Sequence, residues 1–418
     1  MTCAPARRTW TSTFFTIWAG QAFSLLGSML VQFALVWWLT ATTGSGTVLA
    51  TAALAALVPE ILLGPFAGAC VHRWNRRLVM LVADCLIALA TLGLAALYAL
   101  GALRPWHIYL IMMLRATGAA FHWPAMQAST SLMVPREHLS RVAGINQTLR
   151  GGLGIVSPPL GAILVQLLPL HGVLLIDVGT AALAILPLVF VPIPQPERRA
   201  AGAGGAGDSL WRDLREGLRY VWGWPGLCLV GAMAAVINLL LNPASALMPI
   251  LVTKHFRGGA LELGWIESAW GLGVVLGGLL LGVWGGFRRR ILTSLLGLVG
   301  MGAACVVVGL APAWAFGLAL GAMFTAGVMN PITNGPLFAV VQAAVAPQMQ
   351  GRVFTLMGSV SAAMSPLGMA LAGPVADAFG PGVWFVVGGA TCALMGVGAL
   401  FVPQIVHLEE GRQAQVPV

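Results

Sequence analysis

The chain has 418 residues, of which 58% are hydrophobic and only 8% are charged. Soluble domains carry about a quarter charged residues, so this composition excludes a soluble globular protein. A net charge of +9 alone would suit a nucleic-acid binder, but here the basic residues crowd the short loops between long apolar runs, so no nucleic-acid partner is expected.

Runs of about 20 apolar residues can cross the hydrocarbon core as helices. In chain order they fall at Phe14–Thr40, Thr47–Val71, Leu78–Leu100, Trp106–Met133, Val142–Leu168, Gly172–Val191, Gly226–Val252, Leu263–Gly285, Ile291–Leu310, Trp314–Ala343, Val353–Ala378 and Val383–Val402. That pattern predicts an all-α polytopic membrane protein with twelve transmembrane helices. The first run is too long for a signal-peptide core. Pro187, Pro243, Pro331, Pro336 and Pro366 predict kinks.

An even number of spans puts both termini on one side. Loops on that side hold seventeen of the 22 basic residues and the opposite loops three. By the positive-inside rule both termini are expected in the cytoplasm, with the protein in a bacterial inner membrane. The densest loop is Gly64–Arg77, where Arg73, Arg76 and Arg77 crowd one turn between the second and third spans. The six cysteines are scattered, with no metal or disulfide spacing.

The longest connection joins the sixth and seventh spans. It opens on prolines, passes through small residues at Ala200–Gly207, and ends on Ser209–Trp222. There Leu210, Leu214, Leu218 and Val221 recur at helical spacing among arginines, which predicts an amphipathic helix on the cytoplasmic membrane face. The expected organisation is a bundle at residues 1–191, a linker at 192–225, and a second bundle with a short tail at 226–418. Three features repeat in register between the halves: a proline–arginine turn before the fifth and eleventh spans, the steps Pro159-Leu160-Gly161 and Pro366-Leu367-Gly368, and an arginine loop after the second and eighth spans. They predict two pseudo-symmetric six-helix bundles.

Gly68-Ala-Cys-Val-His72-Arg73-Trp-Asn75-Arg76-Arg77 resembles the loop motif Gly-x-x-x-Asp-Arg-x-Gly-Arg-Arg of the major facilitator superfamily. His72 stands in place of the motif aspartate and Asn75 in place of a glycine. A closer resemblance, to the macrolide-efflux branch of bacterial drug:proton antiporters, is carried by Ile17-Trp-Ala-Gly-Gln21-Ala22, Leu63-Gly64-Pro65, Ala83-Asp84, Arg115 through Ala125, Gly277 through Gly282 and Gly351-Arg352-Val353-Phe354. The resemblance implies a secondary transporter without enzymatic activity, exporting an amphiphilic, macrolide-like substrate on a proton gradient by alternating access. Lysophospholipid and siderophore carriers share these features and stay open as alternatives, as does a membrane sensor or scaffold without flux.

No nucleotide-binding glycine loop is present, and no metal or cofactor is expected. Ionisable residues inside spans are costly and are candidates for function. Glu60 and Glu267 are the candidate proton sites, Glu267 also matching a glutamate of the resembled branch. Arg150 is placed as a partner of Glu60, since each lies about ten residues, or roughly 15 Å, from the cytoplasmic end of its span. Arg115 matches the superfamily arginine implicated in proton transfer. Asp177 reads as orienting a helix end, and Asp377 as belonging to the outer end of the eleventh span. The cytoplasmic gate is assigned to Gly68, His72, Arg73, Arg76 and Arg77, with Asp84 pairing with the loop arginines. Gly154, Pro158, Pro159 and Gly161 resemble the bending antiporter motif. Candidate substrate contacts are Gln21, Met29, Gln32, His122, Asn238, Asn242, Met248, Asn330 and Asn334. The expected partners are a small amphiphile and the bilayer, with the protein acting as a monomer.

Overall fold

The computed structural model describes residues 10–71, 74–193 and 215–410, and among them no strand occurs. The first six long helices are α1 (Trp10–Thr43), α2 (Gly46–Val71), α3 (Arg76–Ala99), α4 (Pro105–Met133), α5 (Leu139–Leu167) and α6 (Leu170–Phe190). A short helix, α7, covers residues 215–222. Then come α8 (Pro225–Ile250), α9 (Ala260–Trp284), α10 (Arg290–Leu310), α11 (Phe316–Ala344), α12 (Pro347–Phe379), α13 (Pro381–Ala399) and the single turn α14 (Pro403–Val406).

Eleven of these helices are long and apolar enough to cross a membrane, some taken together with the helical turn beside them. The remaining expected span, α4, is helical over 29 residues but carries Arg115, His107 and His122, which lower its apolar character. Two of these polar residues, Arg115 and His122, belong to the candidate site.

Helix ends follow local chemistry. The Asn75 side chain accepts from the amides of Arg77 and Leu78 and starts α3. Proline occupies the first turn of α4, α8, α12 and α13, where its missing amide costs nothing. Gly285 ends α9 at φ 76°, a left-handed geometry that favours glycine. Prolines also sit inside α4, α5, α6, α8, α11 and α12. Membrane helices tolerate them because neighbouring groups satisfy the freed carbonyls.

The chain divides into two compact units, Met1–Thr42 with Ala52–Ala200, and Thr43–Thr51 with Ala201–Val418. In the first, α3 packs against α4 and α6. Part of its core is a cluster of Phe14, Ile17, Met80, Ala125, Val142 and Leu188. In the second, α10 packs against α11 and α13, α11 against α9, and α12 against α8. Small residues set these approaches. The face of Gly161 on α5 lies against the Phe33 ring of α1, and Gly368 on α12 lies against the Leu239 backbone carbonyl of α8. The repeated proline–leucine–glycine step therefore makes the same kind of close contact once in each unit.

The expected surface helix behaves differently from its pattern. Val221 is buried with Trp224, Val353, Leu356 and Leu408, while Leu218 is exposed. Gly217 lies beside Arg352, and Glu216 pairs with the Arg352 guanidinium at 2.6 Å. The described part of the linker thus docks on the start of α12 through its glycine and Val221. Leu210 and Leu214 lie outside the described residues.

Candidate functional site

Two charged clusters lie inside the first unit. In the deeper one, Arg115 of α4 meets Asp177 of α6 at 2.6 Å, with Asp177 fully buried and the Arg115 side chain 11% exposed. Arg115 also donates to Thr91 Oγ1 on α3 at 2.6 Å. The Thr91 hydroxyl reaches Asp177 Oδ2 at 3.3 Å, and Ser28 of α1 donates to Asp177 Oδ1 at 3.3 Å. Four helices thus converge on one carboxylate. A buried carboxylate is tolerable only with a counter-charge and hydrogen bonds to its remaining lone pairs, and this one has both.

Asp177 therefore does more than orient the end of α6, the role its position suggested. The signal was present in the sequence. Arg115 and Asp177 each lie about seven to ten residues from the start of helices that enter from the same side, at roughly 10–15 Å depth.

The second cluster lines a cavity of about 200 Å³. Asp84 of α3 accepts from Gln21 Nε2 of α1 at 3.0 Å, and its other oxygen stands 3.3 Å from His122 Nε2 of α4. That contact is close enough for an ion pair, yet His122 Nε2 is buried and makes no hydrogen bond, because the two groups are not aligned for one. Trp18, Trp123, Asn146 and Arg150 also line the cavity. Trp18 Nε1 donates to Asn146 Oδ1 at 2.7 Å, and the Arg150 guanidinium stacks over the Trp123 ring at 3.7 Å.

This geometry corrects two expected pairings. Arg150 does not pair with Glu60; it faces the Trp123 ring, while Glu60 is exposed on α2. Asp84 does not pair with Arg76 or Arg77. Arg76 is buried and donates to the Ala128 carbonyl of α4 at 2.9 Å. Arg77 donates to the carbonyls of Leu188 and Val189. Those carbonyls close the last turn of α6 and have no partner in their own helix, so an arginine fork satisfies them and complements the helix dipole. Spacing along the chain brings Asp84 near the arginine loop, but its depth on α3 turns it to the cavity. His72 and Arg73 lie outside the described residues, and Gly68 sits near the end of α2.

The described geometry is that of a membrane helix bundle with charged groups in its interior, and the comparisons agree with it. The model of the Major Facilitator Superfamily matches residues 17–369. The chain belongs to this superfamily. Macrolide efflux protein A of Streptococcus pyogenes is 33% identical over 96% of this chain and 98% of its own length. Multidrug efflux pump Tap of Mycolicibacterium fortuitum is 28% identical over 92% of this chain and 94% of its own. Among solved structures, a bacterial homolog of the human lysosomal transporter Spinster superposes with a TM-score of 0.69 at 15% identity, covering 97% of this chain and 98% of that one. The chain is a multi-pass membrane protein of a transporter family, with macrolide and multidrug efflux proteins among its relatives.

Within this superfamily member the second unit is polar without being charged in the same way. Asn242 of α8 donates to Asn238 Oδ1 at 2.9 Å and to Ser365 Oγ of α12 at 2.6 Å. Asn238 and Asn334 line a smaller cavity of about 80 Å³. Asn334 donates to the Asn330 carbonyl of its own helix at 3.0 Å. Met248 is buried. In the first unit Met29 accepts from Ser157 through sulfur, and Gln32 is exposed. In α5, Pro158 and Pro159 lie between Gly161, which is packed against Phe33, and Gly154, which faces open space.

The intramembrane carboxylates fall into two groups. Asp84 and Asp177 have the partners already described, and Asp377 accepts from Ser45 Oγ, both the amide and hydroxyl of Thr47, and the Gly46 amide at 2.7–3.0 Å. Glu60 on α2 and Glu267 on α9 make no hydrogen bond or ion pair among the described residues.

Proposed function

We propose that this protein is a secondary active exporter of amphiphilic, macrolide-like compounds, driven by the proton gradient across a bacterial inner membrane. Its termini lie in the cytoplasm, and its two six-helix halves, residues 1–191 and 226–418, alternate access to a central path. The observation that carries the reading is the likeness to macrolide efflux protein A over almost the whole of both chains.

The distribution of charge supports the proton sites. Protonating Asp177 would strand Arg115 in the interior, whereas a carboxylate without a counter-cation changes charge without breaking an ion pair. Glu60 and Glu267 meet that condition and are assigned the coupling proton. Arg115 is assigned the role of clamping Asp177 so that α1, α3, α4 and α6 keep their register. Arg76 and Arg77 tie the loop after α2 to α4 and α6, the arrangement a cytoplasmic gate requires. The amides of the second unit, with Gln21 and His122 in the first, are assigned to substrate contact.

The test is uptake of a panel of macrolides and cationic dyes into inverted membrane vesicles, with and without an imposed proton gradient. Gradient-dependent uptake of a macrolide is the expected result. Equal uptake with the gradient collapsed would remove proton coupling, and movement of lysophospholipids alone would move the substrate to the lipid alternative.

A further inference from the structure

We propose that the cavity of the first unit is a recognition site for a protonated amine carried beside hydrogen-bonding oxygens, with Asp84 as its anchor. This inference rests on the reading of the chain as a carrier of amphiphiles and specifies the head group that one of its cavities takes. Asp84 belongs to the cavity wall and makes no pair with Arg76 or Arg77. One of its oxygens is held by Gln21, while among the described residues the other faces only the misaligned imidazole of His122. A carboxylate in that state has an unused lone pair directed at the same space as an unsatisfied ring nitrogen. An ammonium entering the cavity supplies the missing donor as a charge-assisted hydrogen bond, the strongest kind available to it.

The walls select the rest of the head group. Trp18 and Trp123 present aromatic surface, which favours a cation and the apolar carbons around it. Arg150 counts against a bare cation. Its charge lies over Trp123, and it makes no ion pair among the described residues. Its free N–H donors instead suit an oxygen acceptor, and Asn146 and Gln127 on the same wall add further polar contacts. The charged and titratable groups lining the cavity are Asp84, His122 and Arg150. One carboxylate and one guanidinium fit an amino alcohol or amino sugar better than a simple alkylammonium or an anion. A volume of about 200 Å³ accommodates a single ring or short chain, so the apolar body of the substrate stays outside this cavity.

The test is equilibrium binding to the purified full-length protein in nanodiscs, with empty nanodiscs as background and no gradient present. The probes are tritiated propranolol, an amphiphilic secondary amine beside a hydroxyl, and its neutral N-acetyl derivative. The wild-type protein is expected to prefer the amine by about tenfold or more, and Asp84→Asn is expected to bring the two affinities together without changing that of the neutral compound. Glu216→Ala, on α7 and not part of the cavity wall, is expected to keep the preference. Absence of preference in the wild type overturns the proposal whatever the variants do, as does a preference that survives Asp84→Asn. Amine binding through Asp84 without gradient-driven uptake in vesicles would leave this site standing and remove the export reading. Uptake without amine preference would do the reverse.

Discussion

In the first unit Arg115 and Asp177 form a buried ion pair, and the Asp84 carboxylate lies beside the His122 imidazole. In the second the polar side chains meet as neutral groups, Asn238, Asn242 and Ser365, with Glu267 apart and without a partner among the described residues. The repeats place a tightly packed glycine at the same step in both units, so the difference lies in the side chains grafted onto one architecture. Charge pairs fix helix register strongly but resist a change of protonation. Neutral amides give less stability, and a lone carboxylate can change charge without breaking an ion pair. On the proposed reading the paired groups of the first unit hold and recognise, and the lone carboxylates, Glu60 of the first unit and Glu267 of the second, switch.

The largest expected effect comes from breaking the buried pair. Asp177→Asn leaves Arg115 uncompensated among α1, α3, α4 and α6 and should cost about 3–5 kcal/mol, read as a fall in the thermal midpoint of the purified protein. Replacing Arg115 and Asp177 together with apolar residues should recover most of that loss; if it does not, the pair is more than an electrostatic clamp. Next come the matched glycines. A methyl on Gly368 meets the Leu239 backbone carbonyl, which cannot move aside, whereas one on Gly161 meets a Phe33 ring. Gly368→Ala should therefore cost about 1–3 kcal/mol, and Gly161→Ala less, in the same assay. Equal costs would mean that the two repeats do not differ in tightness at this step.

In the neutral network, Ser365→Ala removes one uncharged hydrogen-bond partner of Asn242 and should cost only about 1 kcal/mol. A loss as large as that of Asp177→Asn would abolish the contrast between the units. The smallest effect is expected outside the membrane. Glu216→Ala breaks the half-exposed pair with Arg352 and should change stability by less than about 1 kcal/mol, because solvent and salt screen the pair.

The helical architecture was legible in the sequence because membrane helices announce themselves by length and apolar content, and the repeated proline–leucine–glycine step marks a close helix contact in each unit. The site was legible in part. Arg115, His122, Gln21 and the asparagines of α8 stood out as polar residues in apolar helices, and all have polar contacts in the structure. Their partners did not stand out in the same way. Arg150 was matched to Glu60 by depth alone, but depth does not give the direction in which a side chain leaves its helix, and Trp123 on the neighbouring α4 offered a closer surface. Asp84 was assigned to the loop arginines because they are near in sequence. Arg76 and Arg77 are drawn off by backbone carbonyls of α4 and α6, which no residue pattern advertises.

The most direct test of the account is drug-coupled proton flux in proteoliposomes containing the purified protein, comparing Glu60→Gln and Glu267→Gln with the wild type while drug binding is measured in parallel. The account predicts that at least one of the two substitutions abolishes coupled proton movement and leaves binding in place. Full coupling in both variants would contradict it, and would return the proton to the paired carboxylates of the first unit.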